Sequence, residues 1–229
     1  MPNHDEIYNK EAERYDQLIA SQPKLMEIMN EIKPLAGLDV LDMGAGTGRL
    51  AVAIAPSVKS ILATDASAAM LKLTGERLRA SGMQHWGTAV ADHRSLPLED
   101  NCVDLVVSGW SICYLCASGI AEWRENLEQV MSEIGRVLRP GGTAIIFETM
   151  GTGCETPQPP EFLLDYYRAL EEECGFQHRW LRMDYQFDSV EQAEELTAFF
   201  FGKELAERVG RERLTTLPEC AGVWWRQFE

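Results

Sequence analysis

The sequence predicts an α/β fold with a doubly wound parallel sheet. Three observations lead to this prediction. Short apolar segments alternate with amphipathic helical segments along the chain. The first apolar segment runs into a glycine-rich loop that opens a helix, and acidic residues end the first three apolar segments. The composition, 45% hydrophobic and 25% charged over 229 residues, is ordinary for a globular protein.

The N-terminal part of the chain is predicted to be helical. Residues 5–20 carry apolar side chains at helical spacing, which predicts one amphipathic helix. Pro34 and Gly37 then break the segment before the first strand, Asp39–Met43.

Three alternating glycines follow the first strand. Gly44, Gly46 and Gly48 form a G-x-G-x-G loop, and a helix over Arg49–Ala55 begins directly after it. Glycine is needed where a Cβ would block either the backbone angles or an approaching cofactor. A dinucleotide-binding fingerprint, G-x-G-x-x-G, places its third glycine one residue later.

The remaining elements continue the alternation. Helices are predicted from Ser67 to Leu78, along an amphipathic stretch through residues 127–138, through residues 163–170, and after the Ser189 capping box. Residues 139–142 predict a turn and residues 151–160 a loop. The other predicted strands are Ser60–Thr64, Gly87–Ala91, Cys102–Ser108, Thr143–Phe147, Arg179–Phe187 and Ala221–Phe228.

Acidic residues stand where a ligand is expected. Asp42, Asp65 and Asp92 end the first three strands, and in open α/β sheets ligands bind outside the carboxyl ends of the strands. The Asp65 carboxylate is suited to accept hydrogen bonds from a ribose diol. Dehydrogenases and methyltransferases both place an acid there, so Asp65 alone does not discriminate between them.

Taken in order, these segments resemble the class I S-adenosylmethionine-dependent methyltransferases. The resemblance rests on Val40–Leu50, Asp65, Ala91-Asp92, the Asp104–Val107 strand and Leu138–Gly142. It implies a Rossmann-like, mostly parallel sheet of seven strands in the order 3-2-1-4-5-7-6, with one antiparallel strand and helices on both faces. The nearest subgroup is the single-domain, small-molecule type often labelled methyltransferase type 11.

The resemblance also implies a division of one domain over residues 1–229. Residues 1–36 would form an N-terminal helical cap, residues 37–150 the cofactor-binding core, and residues 151–229 the part that completes the sheet and the substrate pocket.

The implied cofactor is S-adenosylmethionine. Asp42 would reach its methionine ammonium and Asp65 its ribose, while Asp92 and the backbone of His93 would read the adenine edge. Asp42 as a helix cap, Asp92 as a loop acid and Met70 as a core residue remain alternatives. The full implied cofactor-binding set is Asp42, Gly44, Ala45, Gly46, Gly48, Asp65, Ala66, Met70, Asp92, His93, Ser108 and Gly109.

Methyl transfer from a sulfonium is an in-line displacement that needs alignment, and a base only where the nucleophile must lose a proton. The side chains expected near the reacting methyl, none of them assigned a catalytic role, are Tyr8, Tyr15, His93, Trp110 and Tyr114.

Composition limits the partners. The formal net charge of −15 disfavours a nucleic acid substrate, and neither a nucleobase N-methylation motif nor a Pro-Cys dipeptide is present. We therefore expect a small-molecule acceptor, uncharged or cationic. Cys113 and Cys116 lack a second ligand pair, so no metal is expected. With no membrane span and no secretory signal, we expect a cytoplasmic protein; monomer and homodimer both remain open.

Two other functions remain as alternatives. A nicotinamide (NAD)-dependent oxidoreductase is disfavoured by the position of the third glycine and by the absence of a Tyr-x-x-x-Lys pair. A non-catalytic S-adenosylmethionine-binding protein would share the whole cofactor site and lack only methyl transfer.

Overall fold

The computed structural model describes residues 4–23 and 25–229 of the chain. Its strands are β1 (Asp39–Met43), β2 (Ser60–Asp65), β3 (Trp86–Val90), β4 (Val103–Gly109), β5 (Leu138–Thr152), β6 (Gln177–Arg182), β7 (Tyr185–Gln186), β8 (Thr216–Leu217) and β9 (Glu219–Gln227). Its α-helices are α1 (His4–Lys10), α2 (Ala12–Ala20), α3 (Met26–Ile32), α4 (Arg49–Ile54), α5 (Ala68–Ala80), α6 (Cys113–Cys116), α7 (Trp123–Val137), α8 (Leu164–Glu172), α9 (Val190–Phe200) and α10 (Lys203–Glu212).

Seven strands form one sheet in the order β3-β2-β1-β4-β5-β9-β6. Neighbours from β3 to β5 are parallel, whereas β9 lies antiparallel between β5 and β6. This arrangement confirms the predicted fold class, with β9 as the antiparallel strand. It also brings the carboxyl ends of β1, β2, β3 and β4 to one edge.

The central strand β4 is buried on both faces of the sheet. Leu105 and Val107 of β4 pack in a cluster with residues of α4 and α5, while Val106 packs in a second cluster with residues of α7 and α8. Side chains alternate between faces with a period of two, so a strand covered on both faces is apolar without interruption. The helices that cover the two faces of the sheet hold in place the strand ends from which the site residues come.

The predicted strand Arg179–Phe187 is wrong as a single element. Its first part is β6, and its end is β7, which pairs with β8 in a separate two-stranded sheet. The strand is interrupted at Asp184, whose carboxylate accepts the backbone N–H of Glu219 at 3.1 Å. Alternate residues stay buried across the interruption, at Met183, Tyr185 and Phe187, so the hydrophobic pattern does not reveal it.

The boundaries of the other elements differ less from the predicted ones. The predicted helix over residues 5–20 is divided at Glu11 into α1 and α2, and the predicted turn at residues 139–142 lies within β5. Gly141 has a φ of +81° inside that strand. The helices α3, α6 and α10 were not predicted. The capping residue of α9 is confirmed, because the Gln192 N–H donates to Ser189 Oγ at 3.1 Å.

Within the described ranges, no helix combines the length and apolarity needed to span a membrane.

Candidate active site

A cavity of about 420 Å³ lies at the carboxyl edge of the sheet. Its size falls in the range of ~300–1,000 Å³ typical of small-molecule sites. The predicted site residues that line it are Tyr8, Tyr15, Asp42, Gly44, Ala45, Gly46, Asp65, Ala66, Met70, Asp92, His93, Gly109, Trp110 and Tyr114. The lining residues that the sequence analysis missed are Ile19, Thr47, Arg49, Leu50, Ser67, Ala91, Ser111 and Leu115.

The glycine loop is fastened to the end of β2. The backbone N–H groups of Gly44 and Ala45 both donate to the Thr64 carbonyl, at 2.8 and 2.9 Å. Gly44 has a φ of +78°, and a Cβ there would lie 1.9 Å from Ser111 Oγ. The loop therefore requires glycine at this position on both conformational and steric grounds.

Asp65 joins this loop to the following helix. One carboxylate oxygen accepts the Gly46 N–H at 2.9 Å, and the other accepts the Ser67 N–H at 2.8 Å. Ser67 in turn caps α5 by accepting the Met70 N–H at 3.3 Å. Because a carboxylate offers about four lone-pair positions, each oxygen retains one for a ligand hydroxyl.

Asp42 is buried, with 1% of its surface exposed. Its Oδ2 accepts the Ala51 N–H at 2.8 Å, so it does cap the first turn of α4. Its Oδ1 has no hydrogen-bond partner among the described residues. Burial, with a smaller contribution from the charge of Asp65, raises the pKa of Asp42 to about 7. An unsatisfied carboxylate oxygen in a cavity wall is suited to a cationic ligand group.

Asp92 and His93 follow β3 and also line the cavity. Asp92 lines the cavity, but its carboxylate is held by Arg94 through Nε at 2.8 Å and Nη2 at 2.6 Å. Hydrogen bonding to Arg94 lowers the pKa of Asp92 to about 2. His93 Nε2 lies 2.7 Å from Ser111 Oγ, and burial lowers the pKa of His93, so its imidazole is neutral at pH 7.

Three tyrosines close one side of the cavity. The hydroxyl groups of Tyr8 and Tyr114 are 2.7 Å apart, and the Tyr15 ring lies 5.3 Å from that of Tyr8. Burial raises the pKa of Tyr15 to about 12 and raises the pKa of Tyr8 and of Tyr114 as well. All three phenols are therefore protonated at neutral pH and are not bases in that state.

Trp110 follows β4 in a left-handed conformation, with a φ of +51°. Its ring is stacked with Phe147 at 6.2 Å, and the Arg49 guanidinium lies 4.0 Å from the ring centroid. Arg49 occupies the first position of α4, directly after the glycine loop. In the sequence, the only signal for Arg49 is its place after the glycine loop, and that place predicts the start of a helix.

Two predicted cofactor residues lie outside the cavity lining. Gly48 is the N-cap of α4 at a φ of +88°, and a Cβ there would lie 3.0 Å from Val52 and 3.1 Å from Thr74. Ser108 is 1% exposed, and its Oγ has no partner among the described residues. The absence of a side chain at Gly48 therefore allows the loop to pack closely against Val52 and Thr74.

Comparisons with known proteins agree with this geometry. Residues 41–146 match a family model described as a methyltransferase domain. The malonyl-[acyl-carrier protein] O-methyltransferase of Methylococcus capsulatus is 40% identical over 116 residues, which cover 49% of this chain and 37% of that protein. The demethylmenaquinone methyltransferase of Clavibacter sepedonicus is 32% identical over 129 residues, covering 56% and 45%. The matches thus span less than half the length of these two relatives.

Among solved structures, the YcgJ protein of Bacillus subtilis superposes with a TM-score of 0.63 at 15% identity, covering 90% of this chain and 98% of that one. This structural similarity, at low sequence identity, shows that the two proteins share a fold. Fold, family model and relatives together confirm the resemblance predicted from the motifs: residues 41–146 match a methyltransferase domain, and the chain is similar to the class I S-adenosylmethionine-dependent methyltransferases.

Proposed function

We propose that this chain binds S-adenosylmethionine in the cavity at the carboxyl edge of the sheet and transfers its methyl group to a small-molecule acceptor. One observation carries the proposal. The glycine loop, the unsatisfied oxygen of Asp42 and the backbone-held carboxylate of Asp65 all meet in one cavity. That set complements a ligand with an ammonium group and a ribose diol.

The cofactor would lie along the cavity from β3 toward β4. Asp65 would accept hydrogen bonds from the ribose hydroxyls, and Asp42 Oδ1 would accept one from the methionine ammonium. Ala66 and Met70 would flank the adenine, and Asp92, already held by Arg94, would retain lone pairs for the adenine amino group. Gly44, Gly46 and Gly109 line the cavity without side chains and so allow close approach.

The bound cofactor supplies an electrophilic methyl group on a sulfonium, with a neutral thioether as leaving group. The protein then has to align the acceptor, exclude water and avoid trapping charge. Neutral aromatic side chains suit this task, and Tyr8, Tyr15, Trp110 and Tyr114 provide them. We propose that residues 1–36 act as a cap, because α1 reaches Tyr114 across the cavity through Tyr8.

The relatives indicate which acceptors to test. Their names specify malonyl-[acyl-carrier protein], in which a malonyl group is carried on a protein, and demethylmenaquinone. We propose for this chain a small-molecule acceptor comparable in size to the malonyl group or the quinone.

The test is transfer of tritium from S-adenosyl-[methyl-³H]methionine to malonyl-coenzyme A and to a demethylmenaquinone. Labelled product together with S-adenosylhomocysteine would support the proposal, and the Asp65→Ala variant should lose most of that turnover. Arg124→Gln provides the matched control, since this exposed residue pairs with Glu173 away from the cavity. Cofactor binding without transfer to either acceptor would instead favour a non-catalytic binding protein.

A further inference from the structure

Arg49 places an incompletely satisfied cation in the wall of the cavity. Its Nη2 is buried and has no hydrogen-bond partner among the described residues. The Arg49 guanidinium lies over the face of Trp110, 4.0 Å from the ring centroid. A cation–π contact compensates only part of the cost of removing a guanidinium from water. Within the described part of the chain, no carboxylate forms an ion pair with Arg49.

The described acids of the protein do not supply an anion for Arg49. Glu219 faces Arg49, but no ion pair joins them, and one Glu219 oxygen accepts the Thr149 hydroxyl at 3.0 Å. Burial raises the pKa of Glu219 to about 7, which weakens its charge at neutral pH. The other groups that face Arg49 are the phenols of Tyr15 and Tyr185, whose pKa values burial also raises.

Arg49 lies away from the acidic end of the cavity. The Arg49 guanidinium lies against Trp110, which follows β4 and stacks on Phe147 of β5, whereas Asp65 ends β2 on the other side of β1. The cavity therefore has an acidic end near the glycine loop and a cationic position beside Trp110. A ligand that spans both would place its ammonium and ribose at one end and an anionic group at the other.

We propose that Arg49 binds a carboxylate of the methyl acceptor, so that the acceptors are small carboxylic acids or their carboxylate-bearing derivatives. The planar guanidinium fork matches a carboxylate, and the Trp110 ring holds the fork in place. This inference rests on the proposed function and specifies its acceptor class. It replaces the uncharged or cationic acceptor expected from the sequence.

A carboxylate could also come from the methionine part of the cofactor, and the experiment separates the two sources. The variants are Arg49→Gln and Arg49→Lys, with Arg124→Gln as control. The first arm measures by calorimetry the binding of malonate and of malonamide to the protein saturated with S-adenosylhomocysteine. The second arm compares S-adenosylhomocysteine with 5′-methylthioadenosine, which lacks the amino acid part.

We expect malonate to bind the wild type and the control, to bind Arg49→Gln at least tenfold more weakly, and to bind Arg49→Lys with intermediate affinity. Malonamide should bind none of them, and S-adenosylhomocysteine should bind all within about threefold. Malonate that fails to bind the wild type, or binds Arg49→Gln equally well, overturns the inference. A loss of S-adenosylhomocysteine affinity in Arg49→Gln, with 5′-methylthioadenosine unaffected, also overturns it by assigning Arg49 to the cofactor. Failure of the wild type to bind S-adenosylhomocysteine would refute the proposed function itself.

Discussion

Lowering the pH from 8 to 6 should weaken S-adenosylmethionine binding, because Asp42 must be ionised to accept the methionine ammonium. Burial favours the protonated form of this carboxyl in the free protein and raises its pKa to about 7. A bound ammonium favours the ionised form and lowers the pKa. Below pH 7, binding therefore releases a proton, and the affinity rises with pH until Asp42 is already ionised in the free protein.

The size of the effect follows from that pKa. With a pKa of about 7, the ionised fraction of Asp42 falls from about 0.9 at pH 8 to about 0.1 at pH 6. If only the ionised form binds well, the dissociation constant rises about tenfold over this interval, which corresponds to about 1.4 kcal/mol.

The assay is calorimetric titration at pH 6, 7 and 8 in two buffers of different ionisation enthalpy, which reports proton release directly. Asp42→Asn is the matched variant, since its amide oxygen still accepts the Ala51 N–H that Asp42 Oδ2 now accepts. It should bind weakly and with little dependence on pH. An affinity that is constant from pH 6 to 8 in the wild type, or a full pH dependence retained in Asp42→Asn, would refute the assignment.

Three further predictions concern the loop, the core and the aromatic wall. Gly44→Ala should weaken cofactor binding at least about tenfold in calorimetry, since its Cβ would collide with Ser111; unchanged binding would contradict the loop geometry. Burial raises the pKa of Glu148 to about 7, so its contribution to stability is present below about pH 4.5 and is lost as pH rises through 7. Glu148→Gln should therefore reduce the loss of unfolding free energy between pH 5 and 8 by about 2–3 kcal/mol in urea titrations, and an unchanged pH profile would contradict this. Trp110→Ala should leave cofactor affinity within about threefold and lower acceptor turnover at least about tenfold, because the ring supports Arg49; a large loss of cofactor affinity would contradict that placement.

The cavity wall at the glycine loop could be predicted from the sequence because it depends on local backbone geometry. Gly44 and Gly46 adopt left-handed conformations that favour glycine, and Asp65 follows a strand whose end is fixed by the sheet order. These constraints act over a few residues, so a short motif records them. The same holds for the fold, since strands covered on both faces are apolar throughout.

The contacts among the side chains beside Trp110 and Tyr114 could not be predicted in this way, because they join distant segments of the chain. Arg49 reaches Trp110, and Tyr8 reaches Tyr114, across separations that no periodicity encodes. The division of the strand at Asp184 was not predicted for a similar reason, since the Asp184 carboxylate there accepts a hydrogen bond from Glu219, which is distant in sequence.

The most direct test of the central claim is calorimetric titration of the wild type and Asp65→Ala with S-adenosylhomocysteine and with NAD. We predict that the wild type binds S-adenosylhomocysteine and not NAD. Asp65→Ala should lose about 1.5–3 kcal/mol of binding free energy, the scale of removing a charged hydrogen-bonding partner. NAD binding in place of S-adenosylhomocysteine, or an Asp65→Ala variant with wild-type affinity, would contradict the account.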